Sequence, residues 1–175
     1  MVEAEDVKSG FASSRLDMER FVLIMVFLVE QRWRYFVEKE LEPDGITAKQ
    51  WLMAIVVGNG FQSPPSIQEV ADALSTTHQN VKQIADGMEK RGFMRLWRDE
   101  KNKRIIRLQI TEKCGAMFKD REEKDVMSIK SMFENLTDEE MAALFNIIAK
   151  MEHRASELYD GAKASKSGKT WEDKK

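Results

Sequence analysis

Residues 66–115 read SIQEVADALSTTHQNVKQIADGMEKRGFMRLWRDEKNKRIIRLQITEKCG, and the periodicity of this stretch decides the fold. Its first part predicts a short helix, because Ser66 and Glu69 have the spacing of a capping box and apolar residues follow at helical intervals. A polar link at 75–78 leads to a second helix, whose apolar side chains form one narrow stripe. Gly92 ends that helix. Two short helices with a tight link predict a helix-turn-helix.

The residues that follow change from a helical to an alternating pattern. Apolar residues between Met94 and Ile110 alternate with polar or charged ones, and a charged turn at 99–103 separates the two runs. This pattern predicts a β-hairpin directly after the second helix. The whole unit is therefore predicted to be a winged helix-turn-helix, in which the hairpin is the wing.

Helical patterns flank this unit on both sides. Apolar residues recur at helical spacing in four further segments, which we expect to form helices at 16–41, 47–57, 111–133 and 137–159. We therefore predict a mainly α protein with about six helices and a two-stranded β-wing. Its expected divisions are a flexible N-terminus at 1–14, a single domain at 15–160 with its winged-helix lobe at 47–113 and flanking helices at 15–42 and 115–160, and a flexible tail at 161–175.

The charge of the chain is unevenly distributed. Overall, 28 Lys and Arg residues stand against 30 Asp and Glu residues, for a net charge of −2. Residues 75–113 carry 10 basic and 5 acidic side chains, a net charge of +5, whereas both flanking parts are acidic. A local positive field attracts a polyanion even when the average charge is negative. The alternative is a solvated surface of mixed charge.

The second helix of the unit has a polar face opposite its apolar stripe. Amide side chains can pair with adenine in the major groove of DNA, and lysine can reach a phosphate or guanine. Polar groups at the N-terminal end of such a helix are placed for a phosphate, because open backbone N–H groups attract anions there. The predicted base contacts are Gln79, Asn80, Lys82 and Gln83, and the predicted phosphate contacts are Thr76, Thr77 and His78.

The predicted hairpin loop, RDEKNKR at 98–104, concentrates positive charge. A thin cationic loop beside a recognition helix suits the DNA backbone or the minor groove, where negative potential is high. The predicted wing contacts are Lys101, Lys103 and Arg104. Asp99 is predicted to brace the wing from within, by pairing with Lys101 or Arg104 across the turn.

Residues 66–115 resemble the MarR (multiple-antibiotic-resistance regulator) family. The shared pattern comprises an Ala-x-x-Leu helix, a recognition helix that starts at Thr, the sequence MEKRGF, an Asp-x-x-x-basic-Arg wing and a closing ITEK. The flanking helices agree in number and order, so the resemblance covers about residues 15–160. The wing departs from the family at Asn102, where an acidic residue is usual, and the helix departs at Gln83, where Arg is frequent.

The resemblance implies a bacterial or archaeal, cytoplasmic transcription regulator that binds double-stranded DNA as a homodimer. It would act as a repressor on a pseudo-palindromic operator, because a symmetric pair of recognition helices matches two half-sites. The flanking helices at 15–42 and 115–160 are rich in apolar residues, which favours dimerisation through them. The alternative is a winged-helix protein-interaction module, which would carry apolar anchors in place of the polar face.

The resemblance also implies a small aromatic or anionic effector, bound between the dimerisation helices and the winged-helix lobe. Trp33, Phe36 and Trp51 are candidates to line such a pocket. Arg32 or Arg34 would then pair with a carboxylate of the effector. The alternative is that these aromatic residues belong to the core or to the subunit interface.

Other classes of function find no support in the sequence. It contains no glycine-rich nucleotide loop, His-Glu-x-x-His motif or nucleophile elbow, so no enzyme activity is expected. One cysteine and two histidines leave too few ligands for a metal cluster, and no cofactor is expected. Cys114 is expected to be structural. No apolar run approaches 18 residues, so neither a transmembrane helix nor a membrane partner is expected.

Overall fold

α-Helices and one two-stranded antiparallel sheet make up the described part of this protein. The computed structural model describes the backbone of residues 14–172 and the side chains of residues 14–165. The predicted mainly α, winged helix-turn-helix fold is confirmed. In chain order, the elements of the described chain are α1 (Arg15–Leu41), a 3-10 helix (Glu42–Asp44), α2 (Ala48–Asn59), α3 (Ile67–Ala73), α4 (His78–Lys90), β1 (Met94–Arg98), β2 (Ile106–Ile110), α5 (Glu112–Asp120), α6 (Glu122–Phe133) and α7 (Asp138–Glu172).

Side-chain hydroxyl caps mark where several of these helices begin, α2 to α5 among them. Thr47, Ser66, Thr77 and Thr111 are the N-caps of α2, α3, α4 and α5, and each hydroxyl accepts a hydrogen bond from the backbone N–H three residues later. At Thr47 and Ser66 the reciprocal bond is also present. The capping box predicted at Ser66 is therefore confirmed.

A tight turn joins α3 to α4. Ser75 has a φ of 48°, in the left-handed region that few residues other than glycine adopt. The Ser75 N–H donates to the Asp72 carbonyl at 3.1 Å, and the Thr76 N–H donates to the Ala71 carbonyl at 2.9 Å. These bonds satisfy carbonyl groups at the end of α3 while the chain turns into the next helix.

The hairpin follows the alternating pattern of the sequence. β1 and β2 are antiparallel, with Met94 opposite Ile110 and Arg98 opposite Ile106. Met94 and Leu108 are almost fully buried, because alternate side chains of a strand point to the same side of the sheet. One face of the hairpin thus closes the core, and its loop residues 100–104 remain exposed.

A single apolar core unites α2, α3, α4 and the hairpin. Cys114 of α5 belongs to it, and burial raises the pKa of its thiol, as expected for a structural cysteine. The buried residues of this core are Leu41, Ile46, Met53, Ala54, Val57, Ile67, Val70, Ala71, Val81, Ala85, Met88, Phe93, Met94, Leu108 and Cys114.

The structure corrects the helix predicted at 111–133. Two helices, α5 and α6, occupy this segment, and the break between them falls at Arg121. The Arg121 guanidinium is buried and donates to the Asp125 carboxylate at 2.8 Å. It also pairs with Asp44, which lies in the turn after α1. These tertiary partners hold the chain at the break.

The structure also corrects the flexible tail predicted at 161–175. Helix α7 continues through this segment to Glu172, because extending an existing helix requires no new nucleation. Lys163 of the extension contacts the lobe, where its Nζ lies 2.5 Å from the Asp72 carboxylate. Of the predicted flexible start at 1–14, only Ser14 is described, and it is the N-cap of α1. Residues 1–13 and 173–175 lie outside the described residues.

The long terminal helices leave much apolar surface exposed in a single chain. Leu23 and Phe27 of α1 are 60% and 62% exposed, and Phe145 of α7 is 71% exposed. Such contiguous apolar faces usually indicate an interaction surface. Even so, no helix within residues 14–172 combines the length and apolarity that crossing a membrane requires.

Candidate nucleic-acid interface

The buried stripe of α4 fixes which face of this helix is exposed. Val81, Ala85 and Met88 are at most 3% exposed, so this side of the helix is fully packed. Because successive residues are about 100° apart around a helix, the opposite side carries Gln79 and Gln83. Both amides are exposed, and a spacing of four residues places them on the same face.

The N-terminal end of α4 combines backbone donors with polar side chains. The Thr77 hydroxyl accepts the Asn80 N–H at 3.1 Å, and the Asn80 amide donates to the Thr76 hydroxyl at 2.9 Å. The N–H groups of His78 and Gln79 belong to the first turn and have no acceptor within the helix. This end of α4 is therefore suited to a phosphate.

The four predicted base contacts do not have equivalent surroundings. Gln79 and Gln83 are exposed, whereas Asn80 and Lys82 are half-buried. Asn80 uses its amide in the bond to Thr76, and Lys82 forms an ion pair with Asp86 one turn later. A base or phosphate that contacts Asn80 or Lys82 must therefore compete with an existing partner.

Asp99 organises the wing loop, but not through the predicted partners. Its Oδ1 atom accepts the backbone N–H groups of Lys101 and Asn102 at 2.9 and 3.0 Å. Its Oδ2 atom accepts Nε–H of Arg107 at 3.0 Å, and this bond holds the pKa of Asp99 below its ordinary value. The predicted side-chain pairing with Lys101 or Arg104 is wrong, because Arg107 on β2 lies closer to the carboxylate.

Arg107 ties the wing to the helix-turn-helix, a role that the sequence did not reveal. Its guanidinium donates to the Glu69 carboxylate at 3.1 Å and to the Pro64 carbonyl at 3.2 Å, in addition to Asp99. Glu69 is also the capping-box partner of Ser66. One side chain therefore joins the wing loop to the start of α3. Its partners lie 38 and 43 residues away in sequence, so no local pattern identifies them.

The wing loop leaves its cations exposed beside α4. The Leu96 N–H of β1 donates to the Glu89 carboxylate of α4 at 2.9 Å, which joins the hairpin to α4. Within the hairpin, Arg98 donates to the Lys103 carbonyl at 2.9 Å. The cationic side chains predicted for the wing are all exposed, namely Lys101, Lys103 and Arg104.

A cavity of about 630 Å³ lies between α1, α2, α5 and α6. Trp33, Phe36 and Trp51 line it, as the sequence led us to expect, whereas Arg32 and Arg34 do not. Arg34 instead pairs with Glu30 along α1. The lining is mostly apolar and includes residues of α1, α2, α5 and α6.

The turn at Asp44 and Gly45 connects this cavity to the C-terminal end of α4. Gly45 has a φ of 65°, which favours glycine. Arg91, the C-cap of α4, donates to the backbone carbonyls of Asp44 and Gly45. From the other side, Arg121 of the cavity wall pairs with the Asp44 carboxylate. The turn is thus bound both by the C-terminal end of α4 and by the wall of the cavity.

Comparison with known proteins shows which fold this arrangement represents. No family model matches the chain. The transcriptional regulator SlyA is 18% identical, with a TM-score of 0.72, and the match covers 81% of this chain and 98% of that chain. A mutant MarR from E. coli complexed with operator DNA is 18% identical, with a TM-score of 0.68 over 79% and 99% of the two chains.

A third structurally similar protein is regulated by a small molecule. Bordetella bronchiseptica BpsR is a protein whose DNA binding is regulated by 6-hydroxynicotinic acid. It is 18% identical, with a TM-score of 0.65 over 75% of this chain and 98% of that chain. Together these matches show that the chain has the MarR-like winged-helix fold, so the resemblance seen in the sequence is confirmed at the level of the fold.

The bonds of Asp99 predict how easily the wing loop opens. We expect Asp99→Asn to speed tryptic cleavage after Lys101, Lys103 and Arg104 by roughly threefold or more, because the loop loses its charged acceptor. Limited proteolysis followed by mass spectrometry measures the rates. Glu100→Gln, which removes an exposed carboxylate from the same loop, is the matched control and should leave them unchanged. Equal rates for the two variants would contradict the brace.

Proposed function

We propose that this protein is a sequence-specific, double-stranded DNA-binding transcription regulator that acts as a homodimer. The observation that carries this proposal is the rotation of α4, whose apolar stripe packs inward while Gln79 and Gln83 face solvent beside a braced, cationic wing. A helix of this width enters the major groove of B-DNA, and the wing then lies over the adjacent backbone or minor groove.

The proposed contacts divide into base readout and phosphate contacts. Gln79 and Gln83 lead the base readout, because their amides are exposed on the face opposite the core. Asn80 and Lys82 also contact bases, after the bond of Asn80 to Thr76 and the ion pair of Lys82 with Asp86 have been released. Phosphates are held by Thr76, Thr77 and His78 at the start of α4 and by Lys101, Lys103 and Arg104 of the wing.

A homodimer accounts for the apolar surface of the terminal helices. Phe27 and Leu23 on α1, together with Phe145 on α7, are each at least 60% exposed in one chain. A twofold partner that packs the same helices against them would remove this surface from water. It would also present two recognition helices to a pseudo-palindromic site. The operator complex of the structurally similar MarR supports DNA binding by this fold.

Repression with release by a small aromatic effector completes the proposal. A dimer bound at an operator blocks access to the promoter DNA, so its default action is repression. The cavity between the dimerisation helices and the lobe is the proposed effector site, since Trp33, Phe36 and Trp51 line it. The regulation of BpsR DNA binding by 6-hydroxynicotinic acid supports a small-molecule effector, though not its site. As a DNA-bound regulator, the protein would work in the cytoplasm with the nucleoid.

Substitution at Gln83 tests the base readout. On a duplex selected from a random pool, Gln83→Ala should weaken binding by about 1–3 kcal/mol and relax the preference at one base pair. Lys103→Ala should instead weaken binding to every duplex alike, because a phosphate contact is independent of sequence. Fluorescence anisotropy on the selected duplex and on its single-base variants measures both effects.

Gln62→Ala is the matched control for this experiment. Gln62 is an exposed glutamine in the loop after α2, so its loss should change neither affinity nor specificity. If Gln83→Ala behaved like this control on the selected duplex, the assigned recognition face would be wrong. Failure to select any duplex would count against DNA readout as a whole and favour a protein-interaction module.

Substitution at Phe27 tests the homodimer. We expect the wild-type protein to sediment as a dimer at micromolar concentration and Phe27→Glu to sediment as a monomer, because the variant places a charge in the apolar contact. Arg32→Glu places the same charge at an exposed position about 140° around α1 from Phe27, and this variant should remain dimeric. A monomeric wild-type protein in analytical ultracentrifugation would refute the proposed assembly.

A further inference from the structure

Aromatic side chains form much of the cavity wall. Trp33 and Phe133 meet edge to face, with ring centroids 5.1 Å apart and an angle of 67° between the planes. Phe36, Trp51 and Phe118 line the same space. A cavity of about 630 Å³ with these walls has the size and surface of a site for a compact ring compound.

The buried cation on this wall is already paired within the chain. Arg121 is 6% exposed, and its Nε and Nη2 atoms donate to the Asp125 carboxylate at 2.9 and 2.8 Å. Its Nη1 atom pairs with Asp44, and Nη2 also approaches the Glu40 carbonyl at 3.4 Å. A guanidinium is charged in proteins under all ordinary conditions, and the bonds to Asp125 raise the pKa of Arg121 further. All three guanidinium nitrogens are therefore committed to partners in this protein.

The remaining charges on the wall also disfavour an anion. The lining carboxylates are those of Glu40, Glu122 and Asp125, against the two cations Lys119 and Arg121. Lys119 and Glu122 are exposed, so their opposite charges are screened by water at the rim. An aromatic carboxylate entering the cavity would lose its hydration and find no unpaired buried cation among the described residues that line it.

We propose that this cavity binds small uncharged aromatic compounds and that the Arg121–Asp125 pair determines this specificity by excluding aromatic carboxylates. The regulatory meaning of the site rests on the proposed function, but the ligand preference does not. The inference departs from the anionic effector that the family resemblance implies. It also separates this chain from BpsR, whose regulator is an acid.

Two ligands of the same shape test the proposal on the full-length protein. Isothermal titration calorimetry should show that 2-naphthamide binds at least about tenfold more tightly than 2-naphthoate, a difference of about 1.4 kcal/mol. Tighter or equal binding of the carboxylate, tighter binding of the ammonium analogue 2-naphthylmethylamine, or no binding of the amide would each overturn it. The wild-type comparison decides the question even if a variant fails to fold.

Variants of the wall locate the effect. Asp125→Asn leaves Arg121 without its principal carboxylate, so affinity for 2-naphthoate should rise and the preference for the amide should shrink by about tenfold. Glu123→Gln neutralises a carboxylate of α6 that does not line the cavity, and it should preserve the wild-type preference. Trp33→Ala should weaken the binding of 2-naphthamide, because it removes an aromatic wall of the cavity. An unchanged preference in folded Asp125→Asn would refute the role of the pair.

Binding of the naphthalene compounds is measured without DNA, so it separates this proposal from the proposed function. Calorimetric binding with no duplex selected would leave the ligand preference standing and reject DNA readout. Duplex binding without the calorimetric preference would leave DNA readout standing and reject the ligand preference.

Discussion

The burial of Val81, Ala85 and Met88 is the constraint on which the rest of the lobe depends. These three side chains lock the rotation of α4 against α2, α3 and the hairpin, and the same rotation brings Gln79 and Gln83 to the surface. A change in this packing would turn the amides away from the exposed face. The turn at Ser75 and the cap at Thr77 then fix where the helix starts.

Three arginine side chains hold elements of the described chain together. Arg107 joins the wing to α3, and Arg91 holds the C-terminal end of α4 to the turn at Gly45. Arg121 joins that turn to the cavity wall. These arginines have partners inside the chain, whereas the cations of the wing loop are exposed. The basic block seen in the sequence therefore divides into a structural group and a surface group.

The local elements were predictable from the sequence, whereas the contacts between distant residues were not. The capping box at Ser66 and the change of period after Gly92 depend on neighbours a few residues away, and both are confirmed. The break at Arg121 depends on Asp44, 77 residues earlier, and therefore leaves no trace in the helical pattern. The brace of Asp99 was predicted, but its partner Arg107 was not, because charge alone cannot choose among several nearby cations.

The dependence of duplex affinity on salt tests most directly whether the exposed face of α4 and the wing act together on DNA. We predict tight binding of the selected duplex at low salt and a log–log slope of about −4 or steeper as salt rises, because each neutralised phosphate contributes roughly −0.9. A slope near zero, or no binding to genomic or selected duplexes at low salt, would contradict this account.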